Sequence, residues 1–407
     1  MKTFHINSTS HGSTGTIARQ IIAACEAAGH TGYFAHGLGK LFSEHEYLLS
    51  TKWKTRWHNI CSRLTDRQCF FSRGSTEHLV KILQEVKPDI IHLHNLHGHY
   101  LHIGVLFEYL KDFPGQVVWT LHDCWPFTGH CSHFQALKCE KWKSGCFNCP
   151  GLSVYPPSNF GIDNSRKNWE QKRELFSSVK NLTLAPVSEW LAEIARKSFL
   201  GNKKVVRIYN GTDTETFSPK KNVSSVREKY RLGNRFVILG CANSWGRSKG
   251  LPDFLKLRER FSEEELAIVL VGLTEKQIQE LPEGIVGIRR TGSAEELAEL
   301  YSAADLFVNP TYEDNFPTVN IEALACGMSV CTYRTGGSPE AVDENTGFVV
   351  EQGDVDGIVS AIEIVRSRGR VSYSEACRAR ALNCFRKEDR YAEYVKLYEE
   401  LVGPTRD

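Results

Sequence analysis

The stretch DLFVNPTYEDNFPTVNIEALACG, Asp305–Gly327, decides the fold. A short apolar run, DLFVNP, ends at a proline and reads as a buried strand. The loop after it carries Glu313 and Asp314. FPTVNIEALACG then has the pattern of a helix, with Pro317 at the first helical position and Gly327 just past the end. The first-turn amides, backed by the positive end of the helix dipole, make a site for phosphate. Glu322 lies about 7.5 Å beyond Pro317 at about 1.5 Å per residue. Carboxylates accept hydrogen bonds from vicinal hydroxyls, so a pair bracketing a phosphate site suits a nucleotide-sugar, with a sugar at each end. The plainer alternative has Asp314 capping the helix and Glu322 as a solvated helical residue.

The same strand–turn–helix grammar runs outward in both directions. KTFHIN, TGYFAHG, DIIHLHN, QVVWTLH, NLTLAPVS and VVRIYNG read as strands of one series. RFVILGCA, LAIVLVG, IVGIRRTG, DLFVNP, MSVCTY and GFVV form a second. Between them the pattern lapses into TDTETFSPKKNVSS. A chain of 407 residues exceeds what one core usually supports. The reading is α/β: two doubly wound Rossmann-like domains, 1–205 and 206–385, facing a central cleft at the carboxyl ends of their strands. A long closing helical pattern, SYSEACRARALNCFRKEDRYAEYVKLYEELV, is expected to place 386–407 back toward the first domain.

The net charge of +2 conceals an asymmetry. Residues 1–200 hold 22 Lys and Arg against 16 Asp and Glu, and all 15 histidines precede residue 134. The first half is the one suited to an anionic surface or substrate, and nothing in the balance calls for nucleic acid. No apolar run reaches the roughly 18 to 20 residues that span a bilayer. MKTFHINSTS is too poor in apolar residues for a signal peptide, which predicts a cytoplasmic protein.

With no export signal, the 13 cysteines are expected as thiols, metal ligands or core residues before disulfides. Within a Cys-rich insert, 124–150, Cys131, Cys139, Cys146 and Cys149 follow a Cys-x7-Cys-x6-Cys-x2-Cys spacing. Two readings stand: a tetrahedral structural zinc, or thiols that pack free or serve redox chemistry. TKWKTRWHNICSRLTDRQCFFSR, 51–73, interleaves six basic residues with Trp53, Trp57, Phe70 and Phe71. It suits peripheral contact with the inner face of an anionic membrane, or else a solvated helix whose aromatics belong to the core.

EDNFPTVNIEALACGMSV, followed by GGSPEAV and TGFVV, resembles the donor-site signature of the retaining glycosyltransferases of family 4, which have the GT-B fold. RIYNGTDTETFSP resembles the interdomain segment of that family and WGRSKGL its Lys-Gly element. GSTGTIA, HNLHGHYLHI and WTLHDCWPFTGHCSHF…CEKWKSGCFNCP are similar to the subgroup of colanic acid, exopolysaccharide and O-antigen biosynthesis. The resemblance covers nearly the whole chain.

It implies a UDP- or GDP-sugar donor and a lipid-linked (polyprenyl-diphosphate) saccharide acceptor of an O-antigen, capsule or exopolysaccharide. It puts Glu322 on the ribose and Asp314, where the family usually has Glu, on the transferred sugar, with Glu313 as an alternative contributor. The amides around Asn315, Phe316 and Thr318 would meet the diphosphate or sugar. Lys249 matches the diphosphate lysine. Ser244 stands where an arginine is expected, and Arg247 is the nearest substitute. Gly15, in the glycine turn after strand one, and His122, after QVVWTLH, match residues near the donor. His92, His94 and His97 are acceptor contacts or packed strand histidines. No nucleophile stands out and no Asp-x-Asp site for a catalytic metal is evident, so a metal-independent front-face displacement is expected, with no cofactor required for catalysis. A nucleotide-sugar epimerase of the same fold and a non-catalytic glycan-binding scaffold are the alternatives.

Overall fold

The computed structural model describes residues 1–221 and 223–403. The chain divides into two units, Met1–Tyr209 together with the chain from Arg390 onward, and Asn210–Asp389.

The first unit carries seven strands: β1 (Lys2–Thr9), β2 (Thr31–Leu38), β3 (Glu46–Leu48), β4 (Ile90–Leu93), β5 (Gln116–Leu121), β6 (Leu182–Pro186) and β7 (Lys204–Val205). Their order is β3-β2-β1-β4-β5-β6-β7, every pair parallel. Parallel strands need crossover helices, which cover both faces. Phe4, Ile6, Ile90, Ile91, Leu93, Val117, Val118 and Leu184 are accordingly all fully buried. The second unit carries β8 (Phe236–Cys241), β9 (Leu266–Val271), β10 (Ile285–Ile288), β11 (Leu306–Asn309), β12 (Val330–Tyr333) and β13 (Gly347–Val350), in the order β10-β9-β8-β11-β12-β13, again all parallel. In each sheet the order reverses once, between β1 and β4 and between β8 and β11. Such reversals leave an opening at the carboxyl ends of the flanking strands.

The closing helical pattern is two helices, Val371–Cys384 and Lys387–Val402, rather than one. Thr212 is the reason. Its amide donates to the Phe385 carbonyl (2.8 Å) and its carbonyl accepts from the Lys387 amide (3.0 Å), so those two groups bond Thr212. Tyr391, Tyr394, Val395 and Tyr398 then recur on one face of the last helix. They pack in the first unit against Ile17, Ile21 and Cys25 of α1 (Gly12–Ala27) and against Ile90, Val118 and Ala185 of the sheet. The unit boundaries fall at 209/210 and 389/390, not at 205/206 and 385/386. The Val206 and Ile208 amides still donate to Leu184 and Pro186 of β6, which holds 206–209 to the first unit. Strand β3, three residues at the sheet edge, had no signal in the sequence.

Within 51–73, Phe70 and Phe71 are half-buried, as core aromatics would be. Trp53 and Trp57 are not, being 81% and 66% exposed on α2 (Lys52–Thr65). Ile60 and Leu64 continue their stripe at helical spacing and are also exposed. Among the described residues no helix is long and apolar enough to cross a membrane.

Tyr398 is fully buried and its hydroxyl meets His92 Nδ1 at 2.5 Å. Tyr398→Phe is expected to cost about 1–2 kcal/mol, through an imidazole left unpaired, and Tyr398→Ala about 3–5 kcal/mol, through the added cavity. Urea titration followed by tryptophan fluorescence checks this, since seven of the eight tryptophans lie in this unit.

Candidate active site

At the reversal in the second sheet, the loops after β8 and β11 are tied together by backbone contacts. Gly250, at φ +74°, abuts the end of β11 so closely that a Cβ would stand 2.2 Å from the Pro310 carbonyl oxygen. Only glycine fits that position. The Tyr312 amide donates to the Ser248 carbonyl at 2.8 Å. Lys249 thereby reaches over the second loop. Its Nζ donates to Asp314 Oδ2 (2.7 Å), to the Glu313 carbonyl (3.0 Å) and to Thr311 Oγ1 (3.4 Å). The side chains of Lys249 and Asp314 are 31% and 21% exposed, so the pair is sheltered while its rim meets solvent. Arg247 and Ser244 are exposed on the same loop.

The helix after β11 is Thr318–Ala325, and Pro317 is its N-cap rather than its first residue. A proline cap has no side-chain acceptor, and none caps this helix. Asp314 therefore does not cap; it pairs with Lys249. Gly327 closes the other end at φ +71°, with the Met328 amide on the Ala323 carbonyl at 3.0 Å. Asn315 and Phe316 are buried, and the Phe316 ring lies 5.7 Å from that of Phe385, anchoring the loop. Glu322 is not a solvated residue either. Tyr301 donates its hydroxyl to Glu322 Oε2 at 3.2 Å, and Thr318 bonds the same side chain from one turn back. Burial pushes the Glu322 carboxyl up to about 7 against those two hydrogen bonds.

Behind the helix runs a buried polar network that the sequence did not announce. Asn309 donates to Asn320 Oδ1 (2.8 Å), Asn320 donates to Ser338 Oγ (3.1 Å), and Ser338 bonds Thr332 Oγ1 (2.6 Å). It fastens the helix to β11, β12 and the GGSPEAV turn, so its N-terminus stands on rigid elements. The only signal was a polar residue in each of four apolar contexts.

In the first unit, His92 and His94 are packed strand histidines, both fully buried. His5 Nδ1 meets His94 Nε2, and His94 Nδ1 meets His122 Nε2, each at 3.2 Å. His92 bonds Thr120 Oγ1 at 2.7 Å. Burial holds the whole group neutral, with His5 lowered to about 3, His122 to about 4, and His92 and His94 well below their usual range. His5 Nε2 is buried with no partner. A bare ring acceptor costs less there than a bare N–H, which assigns the direction of the ladder: His5 donates to His94, His94 donates to His122 Nε2, and the proton of His122 resides on Nδ1. His97 is held apart, its Nε2 on Asp123 Oδ2 at 2.5 Å.

Gly15 lies inside α1, where a Cβ would come within 2.7 Å of Ser10 C and 2.8 Å of the Thr9 oxygen. Its absence of a side chain seats the helix on the end of β1. None of the 13 cysteines, all among the described residues, is in a disulfide.

Two family models match the chain. The one described as Glycosyltransferase Family 4 matches residues 14–216, and the one described as Glycosyl transferases group 1 matches residues 234–367. The Escherichia coli K12 protein WcaC, named as a colanic acid biosynthesis glycosyl transferase, is 25% identical over 98% of this chain and 99% of its own length. A glycosyltransferase of Rickettsia africae superposes with a TM-score of 0.70 at 15% identity, covering 99% of both chains. Anabaena HepE in complex with UDP-glucose gives a TM-score of 0.69 at 15% identity, over 98% of this chain and 100% of that one. These likenesses establish the GT-B fold, two Rossmann-like domains in one chain. The chain belongs to the glycosyltransferases of group 1 and family 4.

Proposed function

We propose that the chain is a retaining hexosyltransferase that moves a sugar from a UDP- or GDP-sugar to a growing, polyprenyl-diphosphate-linked cell-surface saccharide at the cytoplasmic face of the membrane. One observation carries the reading: Lys249, Asp314 and an uncapped helix N-terminus meet at the sheet reversal, with the half-buried Glu322 one turn along. The name of the E. coli relative, colanic acid biosynthesis, and the UDP-glucose bound by the Anabaena protein support the choice of donor and product class.

On this reading the diphosphate takes Lys249 from Asp314, with Arg247 as the second cation and the amides of Asn315, Phe316 and Thr318 as donors. Asp314, released from its ion pair, accepts hydroxyls of the transferred sugar, and Glu322 accepts those of the ribose. His122, a neutral imidazole, hydrogen-bonds a sugar hydroxyl rather than supplying charge. The bond between C1 and the phosphate oxygen breaks while C1 bonds the acceptor oxygen on the same face. The acceptor's hydroxyl proton passes to the departing phosphate. Positioning and charge do the work, and no covalent enzyme intermediate is needed.

The exposed stripe of Trp53, Trp57, Ile60 and Leu64 on α2 is flanked by Lys52, Lys54, Arg56 and Arg63. Apolar rings beside basic residues match the surface of an anionic bilayer, where such an acceptor resides.

Three measurements test the proposal. Thermal unfolding against a panel of nucleoside diphosphates should show stabilisation by one base series, worth about 2.7 kcal/mol at a hundredfold excess over Kd. Glu322→Ala should lose it, and Asp314→Ala should lose only the increment due to the sugar. No response to any nucleotide, or an epimerised sugar formed from donor alone, overturns the reading.

The pH dependence of stability gives a second check. The folded Glu322 carboxyl, near 7, retains its proton where the unfolded one, near 4.5, has lost it, so this group destabilises the fold progressively as pH rises from 4.5 to 7. Glu322→Gln removes that cost. Its advantage should be absent at pH 4 and reach at most about 3 kcal/mol above pH 7. Equal effects at both pH values would contradict a buried carboxyl.

Third, sedimentation with phosphatidylglycerol-containing vesicles should retain the wild type at low salt. Trp53→Ala with Trp57→Ala should reduce the bound fraction about tenfold or more, while phosphatidylcholine vesicles bind neither protein.

A further inference from the structure

Residues 124–150 cross the first unit with only two single-turn helices, Trp125–Phe127 and Lys141–Lys143. A loop of that length without regular structure is uncommon inside a compact domain and needs something to order it. Cys131, Cys139, Cys146 and Cys149 line one small pocket there, walled by Phe134 and Trp142. The Phe134 and Trp142 rings stack at 5.3 Å, and both are buried.

Two further features point to an ion. One sulfur receives a backbone amide: the Gly129 N–H donates to Cys146 Sγ at 3.2 Å. A Cβ on Gly129 would stand 2.1 Å from the Ser165 carbonyl oxygen and 2.7 Å from Cys146 Cβ, so glycine is what lets that amide reach the sulfur. Amides aimed at sulfur stabilise thiolates rather than thiols. The second feature is Lys172, 1% exposed, whose Nζ donates to the carbonyls of Trp125 (2.9 Å) and Thr128 (3.0 Å) and stands 3.4 Å over the Trp125 ring. Thr128 lines the cysteine pocket. The carboxylate of Asp123 acts on this buried ammonium, and four thiolates on Zn²⁺, with a net charge of −2, would add a second anion.

We propose that Cys131, Cys139, Cys146 and Cys149 hold one structural Zn²⁺. Four sulfurs on a loop with a closed shell are the donor set of a structural zinc knuckle, and a carboxylate-preferring ion is a poor match. Binding releases the four thiol protons to solvent and leaves the sulfurs reduced. The ion orders the insert and takes no part in sugar transfer. Among the described residues the buried trio His5, His92 and His94 has its ligand atoms within 4.8 Å of one another, which no three of the four sulfurs do, so the sulfurs would draw together on the ion; the ring nitrogens of the trio are turned to each other and to Thr120 and Tyr398.

The full chain, expressed with zinc in the medium and purified without chelator, should contain about one zinc per molecule by elemental analysis. Titration of its thiols with an organomercurial should release that zinc to a colorimetric indicator. Cys146→Ser and Cys149→Ser should each lower the content, while Cys384→Ser, outside the insert, retains it. Since the first two variants may be poorly folded, a second measurement stands apart from them: wild-type protein refolded with Co²⁺ should show the intense visible bands of tetrahedral cobalt thiolate. A zinc content below about 0.1 per chain, absent cobalt bands, or a disulfide among these four cysteines in freshly purified protein overturns the proposal. None of these readouts depends on nucleotide binding.

Discussion

All strands in both sheets run parallel, and most of the molecule follows from that constraint. Parallel pairing forbids tight hairpins, so each strand is followed by a crossover that returns the chain to the same end of the sheet. Both faces are then covered, and the strands become short, uninterrupted apolar runs such as LAIVLV in β9, buried at every position. With the faces sealed, the carboxyl ends are where loops can carry polar groups. The order reversal separates two neighbouring loops there and gives them room. Lys249 follows β8 and Asp314 follows β11, the two strands at the reversal, and Gly250 is the contact that lets one loop rest on the other's strand.

Around this opening, polar groups are buried in numbers that apolar packing alone would not favour. They are tolerated because they are paired or neutral. Asn309, Asn320, Thr332 and Ser338 satisfy one another, and His5, His92 and His94 stay uncharged because ionising any of them would put charge in a sealed sheet. Glu322 is the exception, a carboxyl kept partly against its preference. A carboxyl so placed costs stability in the free protein above the pH at which the unfolded carboxyl ionises.

The sheet architecture was legible because hydrophobic periodicity is local: the runs from KTFHIN to GFVV fall on strands, except VVRIYNG, which meets β7 only at Val205. Pro317 and Gly327 marked a helix whose true limits lie within a residue or so. What failed was whatever depends on partners distant in sequence. The closing pattern read as one helix because nothing near Phe385 announces Thr212. For His92 and His94 the choice between acceptor contacts and packed strand histidines stayed open until Tyr398 and Thr120 filled the space around them. Gly15 read as an open turn because its neighbours, Thr9 and Ser10, close on it only once the helix folds back. The network behind Thr318–Ala325 joins four segments and has no sequence signature of its own.

One feature of the connectivity bears on how the chain is made. The second unit is an insertion: the first unit is interrupted at Tyr209 and resumes at Arg390. Tyr391, Tyr394, Val395, Leu397 and Tyr398 complete a core whose other members lie between Ile17 and Ile208. During synthesis the second unit has all its residues before the first has its last helix. The vectorial order of translation therefore lets the later-encoded unit mature first, while the earlier one waits with an uncovered apolar surface on α1 and its sheet. A nascent chain of this design leaves that surface open to chaperones and proteases until the helix from Lys387 has been made.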